Sequence, residues 1–108
     1  MFLTFPTRAR TGVPHVNIGS AHFVSRRFDE AVPTLLLAIQ EDPNFPSPYR
    51  LLAACYAHMG RLRDAREIVA RLRTITPIVI PDLTYLRNRD HRDLLLSGLR
   101  LATGETES

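Results

Sequence analysis

The stretch that decides the fold is YRLLAACYAHMGRLRDAREIVARLRTITP, which covers residues 49–77. Its apolar residues recur at spacings of three and four on both sides of Gly60, a pattern typical of two amphipathic helices joined by a tight turn. Glycine suits the C-terminal stop of the first helix, because it adopts the left-handed conformation at low cost. Thr76-Pro77 ends the second helix, since a proline disfavours helical backbone in the residue before it. The stretch therefore predicts a helical hairpin.

The same pattern occurs a second time, 34 residues upstream. Residues 27–31, RFDEA, align with residues 61–65, RLRDA, and Asp42-Pro43 aligns with Thr76-Pro77. Small residues recur where two helices would have to approach closely, at Gly19, Ala31, Ala53 and Ala65. We expect helices over about residues 13–25, 28–40, 47–59 and 62–74, paired into two repeats.

The tail after the repeats predicts one more helix. Ile78-Val79-Ile80-Pro81 is short, apolar and β-branched, and we interpret it as an extended connector packed on the last repeat. Asn88 or Asp90 can cap a helix over about residues 90–102, which Gly104 would end. The apolar residues of this helix form one face, so we expect it to cover the end of the repeat array. We interpret Ser97-Gly98 as a site of close helix packing.

The repeat resembles the tetratricopeptide repeat, which reads aromatic-x2-Leu-Gly-x2-Tyr, then Ala-x3-Phe, then Pro. The second copy has Tyr49, Leu52, Ala53, Tyr56, Ala65, Val69 and Pro77, and the first has His15, Ile18, Gly19, His22, Ala31, Leu35 and Pro43. The resemblance implies an all-α fold, a right-handed superhelix of two helix-turn-helix repeats with a C-terminal capping helix. The expected boundaries are an N-terminal extension (1–11), two repeats (12–45 and 46–79), connector and capping helix (80–104) and a frayed tail (105–108).

In that family the first helix of each pair lines a concave groove. The resemblance therefore implies a partner-binding groove formed by Val13, Val16, Ser20, Phe23, Val24, Ser47, Arg50, Ala54, Ala57 and His58. The groove would be mostly apolar, and it lacks the Lys and Asn with which one subclass binds chaperone C-termini. We expect a protein or peptide partner, and a scaffold or regulatory role. A second copy of the chain, joined through Phe23 and its neighbours, or the chain's own Phe2-Leu3-Thr4-Phe5 could also cover the groove.

Composition and spacing argue against a catalytic or metal site. The chain has 14 arginines and no lysine, against 11 acidic residues, which excludes lysine chemistry and permits acidic partners. Its one cysteine, Cys55, excludes an internal disulfide and fits a buried filler. His15 and His22 are seven residues apart, whereas a helical metal pair needs three or four, so packed, hydrogen-bonded histidines are expected. We predict no enzyme, no cofactor and no metal.

No run of residues is long and apolar enough to span a membrane, and residues 1–7 make a poor signal peptide, so a cytoplasmic location is expected. Two alternatives remain open. Residues 61–73 carry five arginines and could form the recognition helix of a DNA-binding helix-turn-helix. Residues 51–62 and 86–102 are similar to the repeat region of some bacterial class III adenylate/guanylate cyclases, which implies an accessory region of such an enzyme.

Overall fold

A computed structural model describes residues 12–83 and 86–104, and these residues form five α-helices and no strand. The helices are α1 (Val13–Val24), α2 (Phe28–Glu41), α3 (Pro46–His58), α4 (Leu62–Arg73) and α5 (Arg89–Thr103). Each end lies within one residue of its predicted position. The predicted all-α fold with helical repeats and a C-terminal helix is confirmed.

The two repeats match in the detail of their turns. After α3, Gly60 has a φ of +80°, the Gly60 amide donates to the Ala57 carbonyl at 3.1 Å, and the Arg61 amide donates to the Tyr56 carbonyl at 2.8 Å. This pair of bonds is the Schellman ending of a helix. The same ending follows α1, where Arg26 takes the glycine position with a φ of +61°. Arginine at this position carries a backbone strain that Gly60 avoids.

Small residues at the helix contacts allow the close packing that the sequence predicts. Ala31, Ala53 and Ala65 are fully buried. At Gly19, an added Cβ would lie 2.6 Å from Leu35 Cδ2, so a larger residue would separate α1 from α2. The layers between the helices are filled by large side chains with almost no exposed surface, including Phe23, Leu35, Leu52, Leu72 and Leu99.

The fifth helix does not continue the succession of the first four. Of the two helices of the first repeat, α3 packs more on α2 than on α1. If α5 followed the second repeat as α3 follows the first, it would pack more on α4 than on α3. Instead, α5 packs mainly on α3 and less on α4. Helix α5 therefore covers the side of the second repeat that α3 forms.

The connector between α4 and α5 is held on α3. Arg50 donates through Nη2 to the Ile78 carbonyl at 2.7 Å and through Nε to the Val79 carbonyl at 3.2 Å. Val79 and Leu83 are buried, as expected for a packed connector. Asn88 caps α5, because its Oδ1 accepts from the His91 amide at 3.1 Å, and Gly104 follows the helix with a φ of +81°.

Candidate functional site

A cleft of about 260 Å³ lies between α1, α3, the connector and α5. Its lining is largely apolar with a few polar side chains, and consists of Val16, Asn17, Ser20, Phe23, Val24, Ser47, Arg50, Leu51, Pro81, Leu83, Leu86, His91 and Leu95. Six of the ten predicted groove residues are in this set: Val16, Ser20, Phe23, Val24, Ser47 and Arg50. Val13 is half-buried on α1 and lies outside the cleft lining.

The other three predicted groove residues lie beneath α5. Ala54 is fully buried, and Ala57 is 5% exposed. A Cβ built on Gly98 of α5 would lie 2.7 Å from Ala54 Cβ and 2.9 Å from His58 Nε2, so the two helices meet at van der Waals distance there. The chain's own α5 therefore occupies the part of the predicted groove that belongs to the second repeat.

His58 holds α5 in this position. Its Nε2 donates to the Leu94 carbonyl at 2.7 Å, and its ring stacks on Phe28 with centroids 5.3 Å apart. Because the hydrogen bond requires close approach, it depends on the missing side chain at Gly98. The interpretation of Ser97-Gly98 as a site of close helix packing is confirmed at Gly98.

The expectation that Phe23 is uncovered is wrong. Phe23 is 1% exposed, and its ring packs against Phe28 at 5.6 Å and His58 at 6.2 Å between centroids. His58, which is hydrogen-bonded to α5, covers one side of the ring, and Phe23 also contributes to the lining of the cleft. Val16 is nearly buried too, whereas Val24 is half-buried. A charge at Phe23 would disrupt the core and would not report on surface association.

The polar side chains of the cleft differ in availability. Asn17 is exposed on α1, and Ser20, Ser47 and His91 are half-buried around the opening. Arg50 was expected to be a polar contact for a partner, but its guanidinium donates to the two connector carbonyls. The cleft therefore offers the amide of Asn17 and the hydroxyls of Ser20 and Ser47 for hydrogen bonding beside an apolar floor.

A second cavity, of about 500 Å³, adjoins the cleft at Val24 and His91. Its wall carries both signs of charge, with Arg26 at the end of α1 and Asp90 and Asp93 at the start of α5. This cavity forms a polar rim next to the apolar cleft.

The far wall of the cleft was not predicted from the sequence. Leu83 and Leu86 of the connector and His91 and Leu95 of α5 close it opposite α1. The repeat pattern ends before these residues, so it gave no position for them. The one signal in the tail was Gly98 within an apolar helical face, because a glycine there permits another helix to approach.

The titratable groups expected to be structural are engaged in packing. Cys55 is fully buried, and burial raises the pKa of its thiol to about 12, so the thiolate that nucleophilic chemistry needs is not formed near neutral pH.

The His15 imidazole hydrogen-bonds Glu41 through Nδ1 at 2.8 Å, as predicted. His22 departs from the prediction, since its buried Nδ1 has no hydrogen bond and lies 3.5 Å from Glu30 Oε1. No group of three potential metal ligands occurs in residues 12–83 and 86–104.

Two of the arginines that suggested a recognition helix pack on tyrosines. The Arg61 guanidinium carbon lies 4.7 Å from the Tyr56 ring centroid, and the same side chain is paired with Asp64 at 2.8 Å. The Arg71 guanidinium lies 5.5 Å from the Tyr49 ring centroid. Among the described helices, none is long and apolar enough to cross a membrane.

Comparison with known families gives one match. A family model described as tetratricopeptide repeat matches residues 24–77, which is half of the chain. The match runs from the end of α1 to the proline after α4, and includes both helices of the second repeat. Comparisons with curated proteins and with solved structures gave no match.

Proposed function

Because the chain belongs to the tetratricopeptide repeat family, whose repeats generally mediate protein–protein interactions and are typically non-catalytic, we propose that it is a protein-binding module and that the cleft receives its partner. The observation that carries the proposal is the position of α5. This helix covers the second repeat's part of the concave side and leaves open the part between α1 and the connector.

The lining of the cleft favours a peptide segment, because an apolar floor lies beside hydrogen-bonding groups at the opening. The cleft has a volume of about 260 Å³. It suits the insertion of one or two apolar side chains. Leu51, Leu83 and Leu95 would surround such an anchor and remove it from water.

The opening of the cleft carries groups that can pair with the backbone of an extended segment. Asn17 and Ser20 lie one turn apart on α1, and Ser47 faces them from the start of α3. These side chains donate and accept hydrogen bonds without requiring a charged partner. Since Arg50 is bound to the connector, we infer that an apolar anchor, and not a carboxylate, is the main determinant of recognition.

Selection from a displayed peptide library tests the proposal. The full chain serves as bait, and each enriched peptide is then measured by fluorescence polarisation against two variants. Ser20→Trp fills the cleft, whereas Ser25→Trp adds the same side chain at an exposed position just beyond α1, outside the cleft lining.

We expect the enriched peptides to share a Leu, Ile, Met or Phe anchor. Their affinity should fall at least tenfold with Ser20→Trp and stay within twofold with Ser25→Trp. Peptides that bind both variants as well as the wild type would show that the cleft is not the site, and the proposal would be wrong.

A further inference from the structure

The outer side of the first repeat carries an exposed apolar strip between two histidine–glutamate pairs. Ile18 of α1 is 51% exposed and Leu37 of α2 is 46% exposed. His15 contacts Glu41 at 2.8 Å on one side of the strip, and His22 lies 3.5 Å from Glu30 on the other. Helical periodicity places Ile18 and Leu37 level with each other between these pairs. We call these six residues the N-terminal end face.

Comparison of the two repeats shows what this face is built to contact. The position equivalent to Ile18, 34 residues on, is Leu52, which is fully buried because α2 packs against α3. Tyr49 and Tyr56 stand at the positions of His15 and His22, and both are buried as well. No helix among the described residues covers the corresponding side of α1. The N-terminal end face is therefore a helix-packing surface without a packed helix in residues 12–83 and 86–104.

We propose that a second copy of the chain packs on the N-terminal end face, related to the first by a two-fold axis. The arrangement of the two histidine–glutamate contacts supports this occupant. Both imidazoles lie on α1 and both carboxylates lie on α2, and each imidazole is level with a carboxylate. A two-fold rotation about an axis parallel to the helices, between α1 and α2, lays α1 of one copy over α2 of the other. Ile18 then faces Leu37 of the second copy, and each histidine faces a glutamate.

Other arrangements of two copies satisfy this pattern less well. A two-fold axis across the helices would lay α1 over α1 and bring histidine against histidine, without a histidine–glutamate contact between the copies. A head-to-tail stack would lay α1 of one copy on α4 of the next, and it would leave one unpaired face at each end of the assembly. The two-fold pairing is also closed, since each end face is used once. The pairing does not involve the cleft, so the tests of the pairing and of the proposed peptide site are independent of each other.

Sedimentation velocity of the full 108-residue chain at tens of micromolar tests the pairing with a matched pair of variants. Ile18→Asp places a charge in the apolar strip, whereas Ile78→Asp makes the same change at a connector residue that is 55% exposed. We expect a dimer for the wild type and for Ile78→Asp, and a monomer with unchanged helical circular dichroism for Ile18→Asp. A monomeric wild type, or a dimer that persists in Ile18→Asp, would overturn the proposal.

A charge exchange tests the orientation and does not depend on the fold of Ile18→Asp. His15→Glu sets two carboxylates against each other across the proposed contact, and Glu41→Arg removes the carboxylate that faces His15. Each variant alone should therefore be monomeric. In a 1:1 mixture, the acidic α1 of one variant faces the basic α2 of the other, and the second contact keeps the wild-type pair. We expect the mixture to regain a dimer. Failure of the mixture to associate more tightly than either variant alone would refute the two-fold arrangement.

Discussion

Gly98→Ala is the substitution most sensitive to the position of α5. The added methyl would lie 2.7 Å from Ala54 Cβ, 2.9 Å from Ala54 Cα and 2.9 Å from His58 Nε2. Non-bonded carbon atoms pack best at about 3.5–4.0 Å, so α5 must move away from α3 by roughly 1 Å. The Ala54 Cα belongs to the backbone of a buried helix, and no side-chain rotation can relieve that contact.

Three effects determine the net change in the free energy of unfolding. Forcing an extra methyl into a packed contact costs about 1–3 kcal/mol. Weakening the hydrogen bond from His58 to the Leu94 carbonyl costs about 1 kcal/mol more. Alanine has a higher helix propensity than glycine, which stabilises the folded state by about 1 kcal/mol. We therefore expect a net destabilisation of about 1–3 kcal/mol.

Urea unfolding followed by circular dichroism at 222 nm measures this difference. Arg100→Ala, at an exposed position two residues further along α5, is the control and should change stability by less than about 0.5 kcal/mol. Adding Ala54→Gly to Gly98→Ala removes the nearest contact atom and should recover part of the loss. If Gly98→Ala instead stabilises the protein by about 1 kcal/mol, helix propensity alone acts there. Gly98 would then not face α3.

Three further substitutions test other contacts. Arg26→Gly should stabilise the protein by up to about 1 kcal/mol in urea unfolding, because it removes backbone strain at a φ of +61°. Gly60→Ala should destabilise the protein by about 1 kcal/mol, because alanine is strained at the φ of +80°. Equal effects of the same sign would contradict the conclusion that the turns after α1 and α3 have the same geometry. The pKa of Cys55 is raised from 9.0 to about 12, so the folded state keeps a proton that the unfolded chain loses above pH 9. Stability should be fully retained below pH 9 and fall by up to ~1.4 kcal/mol per pH unit above it, with Cys55→Ala lacking that component of the slope. Arg50→Met removes both hydrogen bonds to the connector and should cost about 1–2 kcal/mol, which a neutral result in thermal unfolding would refute.

The first four helices could be predicted closely because their signals are local. Gly60, Pro43 and Pro77 mark where helices end. The period of 34 residues gives, for each position in one hairpin, the equivalent position in the other. Arg26 is a position whose conformation local signals do not predict. Nothing in its chemistry predicts a left-handed conformation, and only its alignment with Gly60 indicates it.

The candidate site could be predicted only in part, because it depends on where α5 packs. The face of α1 follows from the repeat, and Val16, Ser20 and Val24 line the cleft as expected. The placement of α5 on α3 depends on a contact between Ala54 and Gly98, 44 residues apart, outside the repeat period. That contact covers Ala54 and sets the position of α5, which contributes His91 and Leu95 to the far wall of the cleft.

The contact between α3 and α5 can be observed directly by solution NMR of the full chain. The Ala54 methyl group and the α-protons of Gly98 lie within van der Waals contact when α5 covers the second repeat, so a strong nuclear Overhauser effect should join them. If that effect is absent, and α5 instead gives its strongest effects to Leu72 of α4, the helix continues the repeat succession. The concave side of the second repeat would then be open, and the cleft beside α1 would not exist as described.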